Sequence, residues 1–136
     1  VIIGQRLVRK LCDSKEVYAL DASTRAKITN EESFQAAFKA LRDEKLVKAN
    51  TTLDDLSFYH PKPSPGCEDG YKSRIGIHEV LSVSPAIREV ILHSSTSDAI
   101  EAQAKKEGML TMLEDGLYKA ARGITSLEEV LRAVTE

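Results

Sequence analysis

The 136-residue sequence has no tryptophan, two cysteines and 5% aromatic residues, and its 19 basic side chains are balanced by 21 acidic ones. Each shortage excludes something. With a formal net charge of −2, interspersed signs and few rings for base stacking, nucleic acid is not an expected partner. No apolar run approaches the roughly 20 residues that a membrane-spanning helix needs, and Val1 to Ile3 is too short for a signal-peptide core. A soluble, cytosolic chain is expected. Two cysteines without a secretory segment fit a reducing compartment in which thiols stay free. The first residue is Val1 rather than methionine, and VIIGQRLV opens as if in mid-element, so a fragment or processed chain is expected.

Several chemical motifs are present only in part. GCEDGYKS, Gly66 to Ser73, resembles a phosphate-binding loop, but Tyr71 stands where a glycine must precede the lysine. The proline-rich HPKPSPG before it excludes a central strand, and RIGIHEVL after it has strand rather than helix character, so the helix N-terminus that would hold a phosphate is missing. His78 and Glu79 begin the zinc-protease string H-E-x-x-H, yet Ser82 occupies the second histidine position, and neighbours on a strand point to opposite faces. No nucleophile elbow is present, and no carboxylate pair stands apart from helix-surface charge. No catalytic or cofactor-binding residue is assigned. Cys12 and Cys67 each lack the partner of a C-x-x-C pair, so a tetrathiolate zinc site cannot be built. His60 with Asp13 or Glu68 would complete a mixed site; two buried thiols are the simpler reading.

What is present is α+β. VIIGQRLVRKLC carries β-branched residues and two arginines, and its second half predicts an edge strand of a larger sheet. NEESFQAAFKALRDEKL places Phe34, Ala37, Phe38 and Leu41 at helical spacing. A short strand is expected around Leu56 to Tyr59, then a proline-rich connection. Ile75 and Ile77 share a face of a half-buried strand. Ser84 before Pro85 caps a helix bearing Ile87, Val90 and Ile91. A second helix ends at Gly108, and a third begins at Thr111 and Glu114, which have capping-box spacing. Thr125 and Glu128 repeat that signal for a last helix, with Leu127, Val130, Leu131 and Val134 inward and Glu129 on the opposite face. The four short helices are expected to bury their stripes together.

These segments together resemble the C-terminal part of the type II secretion and type IV pilus assembly ATPases, the hexameric traffic ATPases. Gln5 to Cys12 resemble the family's Q-R-L-V-R-x-L-C segment. GYKSRIGIHEVLSVSPAIREVI resembles its G-Y-x-G-R-x-G-I-x-E-[VL]-L run and following helix. GMLTMLEDGLYKAARGITSLEEVLRAVTE resembles the ending G-M-x-x-L-x-x-D-G-x-x-K-x-x-x-G-x-T-[ST]-x-E-E-[VL]-x-R. Residues 19 to 57 match only in position.

The resemblance implies a RecA-like α/β parent. Residues 1–11 would leave the ATPase core, residues 12–70 form a degenerate zinc-knuckle-like subdomain, and residues 71–136 hold the returning strand and the helical subdomain. Many relatives bind zinc with four thiolates in that knuckle. Here half of the thiolates are missing, so zinc is not carried over, and Cys12 and Cys67 are read as remnants whose Cα atoms lie within roughly 10 Å, near disulfide reach, with the thiols reduced. The parent would bind ATP and Mg²⁺ at motifs upstream, assemble as a hexamer, and act in the cytoplasm against an inner-membrane platform protein. The segment itself would be structural and without activity. Arg6, Arg9 and Arg74 are its candidate interface or phosphate-facing cations. A free-standing interaction domain without ATPase activity is the alternative, and a G-x-x-x-x-G-K-[ST] encoded before Val1 decides between the two.

Overall fold

The computed structural model describes residues 1–19, 23, 31–45, 57–93 and 96–135. Strand β1 (Ile2–Leu11) pairs antiparallel with β4 (Tyr71–Leu81), from Ile2 opposite Leu81 to Arg9 opposite Arg74, and the register slips between Arg9 and Leu11. A second antiparallel pair joins β2 (Glu16–Ala19) to β3 (Ser57–His60). Helix α1 (Glu31–Asp43) lies between β2 and β3 in sequence. After β4 come α2 (Pro85–His93), α3 (Ser97–Lys106), α4 (Met112–Ala121) and α5 (Leu127–Thr135). The α+β class therefore holds, with the strands in two two-stranded sheets. β1 begins at Ile2, earlier than its apolar content alone indicated, because β4 extends to Leu81 and pairs with it along its whole length.

Alternation along β1 and β4 sets the direction of packing. Val8 and Ile77 face inward with Ala133 of α5, and Ile75, Met112 and Val134 pack around them. The opposite face of the ladder leaves Ile3, Leu7 and Val80 exposed. The larger core lies elsewhere. Ala37, Phe38 and Leu41 of α1 and Phe58 of β3 meet Leu117, Tyr118 and Ala120 of α4 and Leu127 and Val130 of α5. The α1 stripe is thus the predicted one in Ala37, Phe38 and Leu41, while the Phe34 side chain and Leu56 lie outside the described residues.

The four helices after β4 do not bury their stripes in one cluster. They form two pairs, α2 with α3 and α4 with α5, because the apolar face of α4 is filled mainly by α1. Gly116 makes the α4–α5 contact close: a Cβ there would lie 2.4 Å from Val130 Cγ1.

The caps explain the helix starts. Ser84 Oγ accepts from the N–H of Ile87, and Thr111 and Glu114 form a reciprocal capping box. Gly108 and Gly123, with φ of +98° and +77°, follow α3 and α4, in the left-handed conformation that glycine adopts without steric cost. α5 departs from expectation. Ser126 Oγ, not the Thr125 hydroxyl, receives the N–H of a glutamate three residues on, Glu129. The cap is one residue later than expected. Leu127 and Val130 are buried as expected, and Ala133 and Glu129, each at 2% exposure, are buried with them. Leu131 is partly buried and packs against the main core, on the expected side, whereas the expected outward Glu129 is corrected.

Candidate functional site

Strand edges carry unpaired N–H and C=O groups, and those of the β1–β4 ladder are treated differently along its length. At the Arg9 end the α4–α5 turn and α5 close the outer edge of β1. The Arg9 N–H donates to Glu129 Oε2 at 2.9 Å, the Thr125 hydroxyl donates to the Arg9 carbonyl at 2.8 Å, and the Leu11 N–H donates to the Ile124 carbonyl at 3.0 Å. The outer edge of β4 is met by α4. Its His78 N–H donates to Asp115 Oδ2 at 2.8 Å, and Lys119 Nζ donates to the Gly76 carbonyl at 2.8 Å while pairing with Asp115 at the same distance. Side chains stand in for a neighbouring strand.

Glu129 is the centre of this junction. Arg9 Nη2 and Nε donate to its Oε1 at 2.7 and 3.0 Å, and Arg132 Nη2 donates to its Oε2 at 2.9 Å. Burial by itself would raise the carboxyl pKa, but the hydrogen bonds from Arg9, Arg132 and the Arg9 backbone outweigh it and bring it from 4.5 to about 2. The bond to Glu129 in turn raises the Arg9 pKa. The Arg9 guanidinium also lies 4.2 Å from the Tyr71 ring centroid and 3.4 Å from Asp69 Oδ2. Tyr71 shares a 2.7 Å hydrogen bond with Ser126, and burial pushes its hydroxyl pKa up despite that bond. A carboxylate so occupied has poor proton affinity and is unsuited to act as a general base near neutral pH. The network holds α4 and α5 onto the sheet.

The three arginines singled out in the sequence do not converge. Arg9 is committed to Glu129, Asp69 and Tyr71. Arg74 is its cross-strand neighbour on the same outward face, and Arg6 lies on the other face, in a cleft shared with Glu79, Glu101 and Thr111. Arg6 and Arg74 are exposed. Glu129, Arg132, Ser126, Asp115 and Lys119 were not singled out. Each occupies a position of the quoted family ending, which marked the motif without assigning the residues a role, and an i,i+4 pair such as Asp115 with Lys119 is ordinary on solvated helices.

Three N–H groups of the loop from Gly66 to Ser73 are spent on the loop and its approach. Cys67 N–H donates to the Ser64 carbonyl, Gly70 N–H to the Cys67 carbonyl, and Tyr71 N–H to Asp69 Oδ1. With Glu68 and Asp69 in the same loop, these residues do not fit a triphosphate. The cysteine expectation is half corrected. Cys12 and Cys67 lie 6.7 Å apart at Cα, inside the expected distance, but they are joined as a disulfide rather than held as free thiols. The backbone presents them to each other at a separation that permits the bond. His60 Nδ1 lies 3.0 Å from Glu128 and its ring stacks on Tyr18. With both sulfurs bonded, these residues do not fit the zinc that the resemblance associates with the knuckle.

Fold and site together define an α+β segment whose charged groups join helices to the edges of a sheet. The chain belongs to the type II/IV secretion system protein family, whose family model matches residues 1–132. It is 35% identical over 137 residues to the type IV pilus assembly ATPase PilB of Pseudomonas aeruginosa, covering 100% of this chain and 21% of that protein. To the type II secretion system ATPase E of Vibrio cholerae it is 34% identical over 137 residues, covering 99% of this chain and 23% of that one. A PilB of Thermus thermophilus is 34% identical over 140 residues, with 99% and 13% covered. The chain thus spans less than a quarter of the length of these relatives. Among the described residues no helix is long and apolar enough to cross a membrane.

Proposed function

We propose that the chain is the C-terminal segment of a hexameric ATPase that powers pseudopilus or pilus assembly, with a structural and contact-making role. The observation that carries the reading is the position of the residues resembling the family's ending. Asp115, Gly116, Lys119, Thr125, Ser126, Glu129 and Arg132 are the ones that join α4 to α5 and both to the sheet. The outer edge of β1 at Ile3, Gln5 and Leu7, open among the described residues, supports continuation of the ladder into a larger RecA-like sheet, since a long apolar edge otherwise invites aggregation. In that parent, residues 1–11 belong to the core sheet, residues 12–70 are a knuckle without its metal, and residues 71–136 return to the core and carry the helices. ATP and Mg²⁺ bind elsewhere in the parent. Exposed Arg6 and Arg74 are available to a neighbouring subunit or to an inner-membrane platform protein on the cytoplasmic side.

Calorimetric titration of the chain with ATP and Mg²⁺ tests this. The expected result is no binding in the micromolar range or tighter, together with ATP hydrolysis by the full-length protein. Micromolar binding by the chain itself would place the nucleotide site here and overturn the reading.

A further inference from the structure

The Cys12–Cys67 bond lies where β1 leaves its ladder and where the loop after β3 returns to β4. It links positions 55 apart in sequence. Backbone hydrogen bonds join the same two stretches beside it. Cys12 N–H donates to the Gly70 carbonyl at 3.0 Å, Ser64 and Cys67 exchange hydrogen bonds of 2.9 and 2.8 Å, and Lys15 N–H returns to the Cys12 carbonyl at 3.3 Å. The Ser14 hydroxyl adds a 2.7 Å bond to the Lys62 carbonyl. Gly70 is wedged against Pro61, where a Cβ would lie 2.6 Å from the proline Cβ. These contacts approach the two sulfurs from both sides of the bond and do not include it. Cys12 is only partly buried whereas Cys67 is 7% exposed, so a thiol reagent meets Cys12 first.

We propose that Cys12 and Cys67 are a reversible redox staple, closed by exchange with a glutathione-type disulfide and opened by a thiol reductant. In closing, the Cys12 thiolate attacks one sulfur of the glutathione disulfide and releases glutathione thiolate. Cys67, its proton passing to that leaving thiolate, then attacks Cys12 Sγ and releases the second glutathione. Two electrons pass from the cysteine pair to glutathione, two protons accompany the two released thiols, and one disulfide replaces another. Opening is the reverse exchange.

The segment under control is 61–70. It carries Asp69, which meets both Arg9 and the Tyr71 N–H, so the staple stiffens one rim of the Arg9–Glu129 junction. The α1–α4–α5 core does not depend on it, because Phe38, Phe58, Leu117 and Val130 make their contacts directly. The proposal concerns thiol chemistry within this chain and stands apart from the ATPase reading.

The test equilibrates the full chain in buffers of varied reduced-to-oxidised glutathione ratio, traps free thiols by alkylation, and weighs the products. The expected result is interconversion between a doubly alkylated chain and an unalkylated chain lighter by two hydrogens, reversible with the ratio. Amide hydrogen exchange over 61–70 is expected to be roughly tenfold slower in the oxidised form, with α4 and α5 unchanged, as for local opening of one segment. Cys12→Ser should abolish the response to the ratio. Two alkylated thiols at every ratio, a persistent glutathione adduct, or disulfide-linked dimers would each overturn the staple. Equal exchange over 61–70 in both forms would remove the control, and one zinc per reduced chain by native mass spectrometry would reassign the thiols to a metal.

Discussion

The two ends of the β1–β4 ladder are finished differently. At the Arg9–Arg74 end the outward backbone groups of β1 are met by Glu129, Thr125 and Ile124, and a disulfide closes the exit. At the Ile3–Val80 end both side chains are exposed, at 62% and 44%, and among the described residues no side chain takes the place of a neighbouring strand along β1. An edge closed by a buried carboxylate cannot be extended by another strand without dismantling an ion pair. An edge left apolar and open can be extended at once. One strand therefore both ends a packed unit and offers a place to continue it.

The comparison is broken most severely at Glu129. Glu129→Ala removes the acceptor of the Arg9 N–H and a shared acceptor of the Arg9 and Arg132 guanidinium groups and should destabilise the chain by about 3 kcal/mol. That is the low end for breaking a buried pair, since Arg9 is half exposed. Glu128→Ala, on the neighbouring exposed position, should stay within about 0.5 kcal/mol. Urea unfolding curves for the two variants measure the difference, and equal midpoints would contradict the clamp.

The same carboxylate sets an acid limb. Its pKa is about 2 in the folded chain against an ordinary value of 4.5, so the unfolded state binds a proton first as pH falls. Its contribution is complete above pH 4.5 and is lost as pH descends through about 2, to a total of roughly 2–3 kcal/mol after allowing for solvent screening of the arginines. Melting temperatures between pH 6 and pH 2.5 should show this slope in the native sequence and a shallower one in Glu129→Gln.

Gly116→Ala tests the helix pair that carries the clamp. Its new Cβ would stand 2.4 Å from buried Val130 Cγ1, and the forced shift should cost about 1–2 kcal/mol despite the better helix propensity of alanine. Thermal unfolding decides it; a stabilised variant would mean that α4 and α5 are not closely held. The smallest effect belongs to the open end. Leu7→Lys should change the stability of this chain by less than about 0.5 kcal/mol, and a larger loss would show that the open edge is already covered in solution.

Much of the secondary structure was legible because its signals are local. Ser84, Thr111, Gly108 and Gly123 mark helix ends through atoms within a few residues of themselves. Ala37, Phe38 and Leu41 lie on one face by spacing alone, as do Ile75 and Ile77. The burial of Glu129 and the cap of α5 were missed for a physical reason. Thr125 and Ser126 are both good caps, Leu131 is more apolar than Ala133, and nothing nearby requires Glu129 to be inside. Thr125 is taken by the Arg9 carbonyl, which leaves Ser126 as the cap. The grouping of four helices failed similarly, since the α4 stripe accepts any apolar face and α1 reached it.

Family membership, the α+β class and most helix starts were available from the order of residues, through short-range propensities and motif spacing, and the resemblance implied that Cys12 and Cys67 lie near each other. Tertiary structure alone decided which groups carry the clamp. A carboxylate is costly to bury until a cation meets it, and whether Arg9 meets Glu129 across 120 positions of chain is a property of the pair in space. The same holds for the sulfurs 55 positions apart: a thiol has one chemistry alone and another beside its partner, and only the folded backbone brings the two within bonding distance.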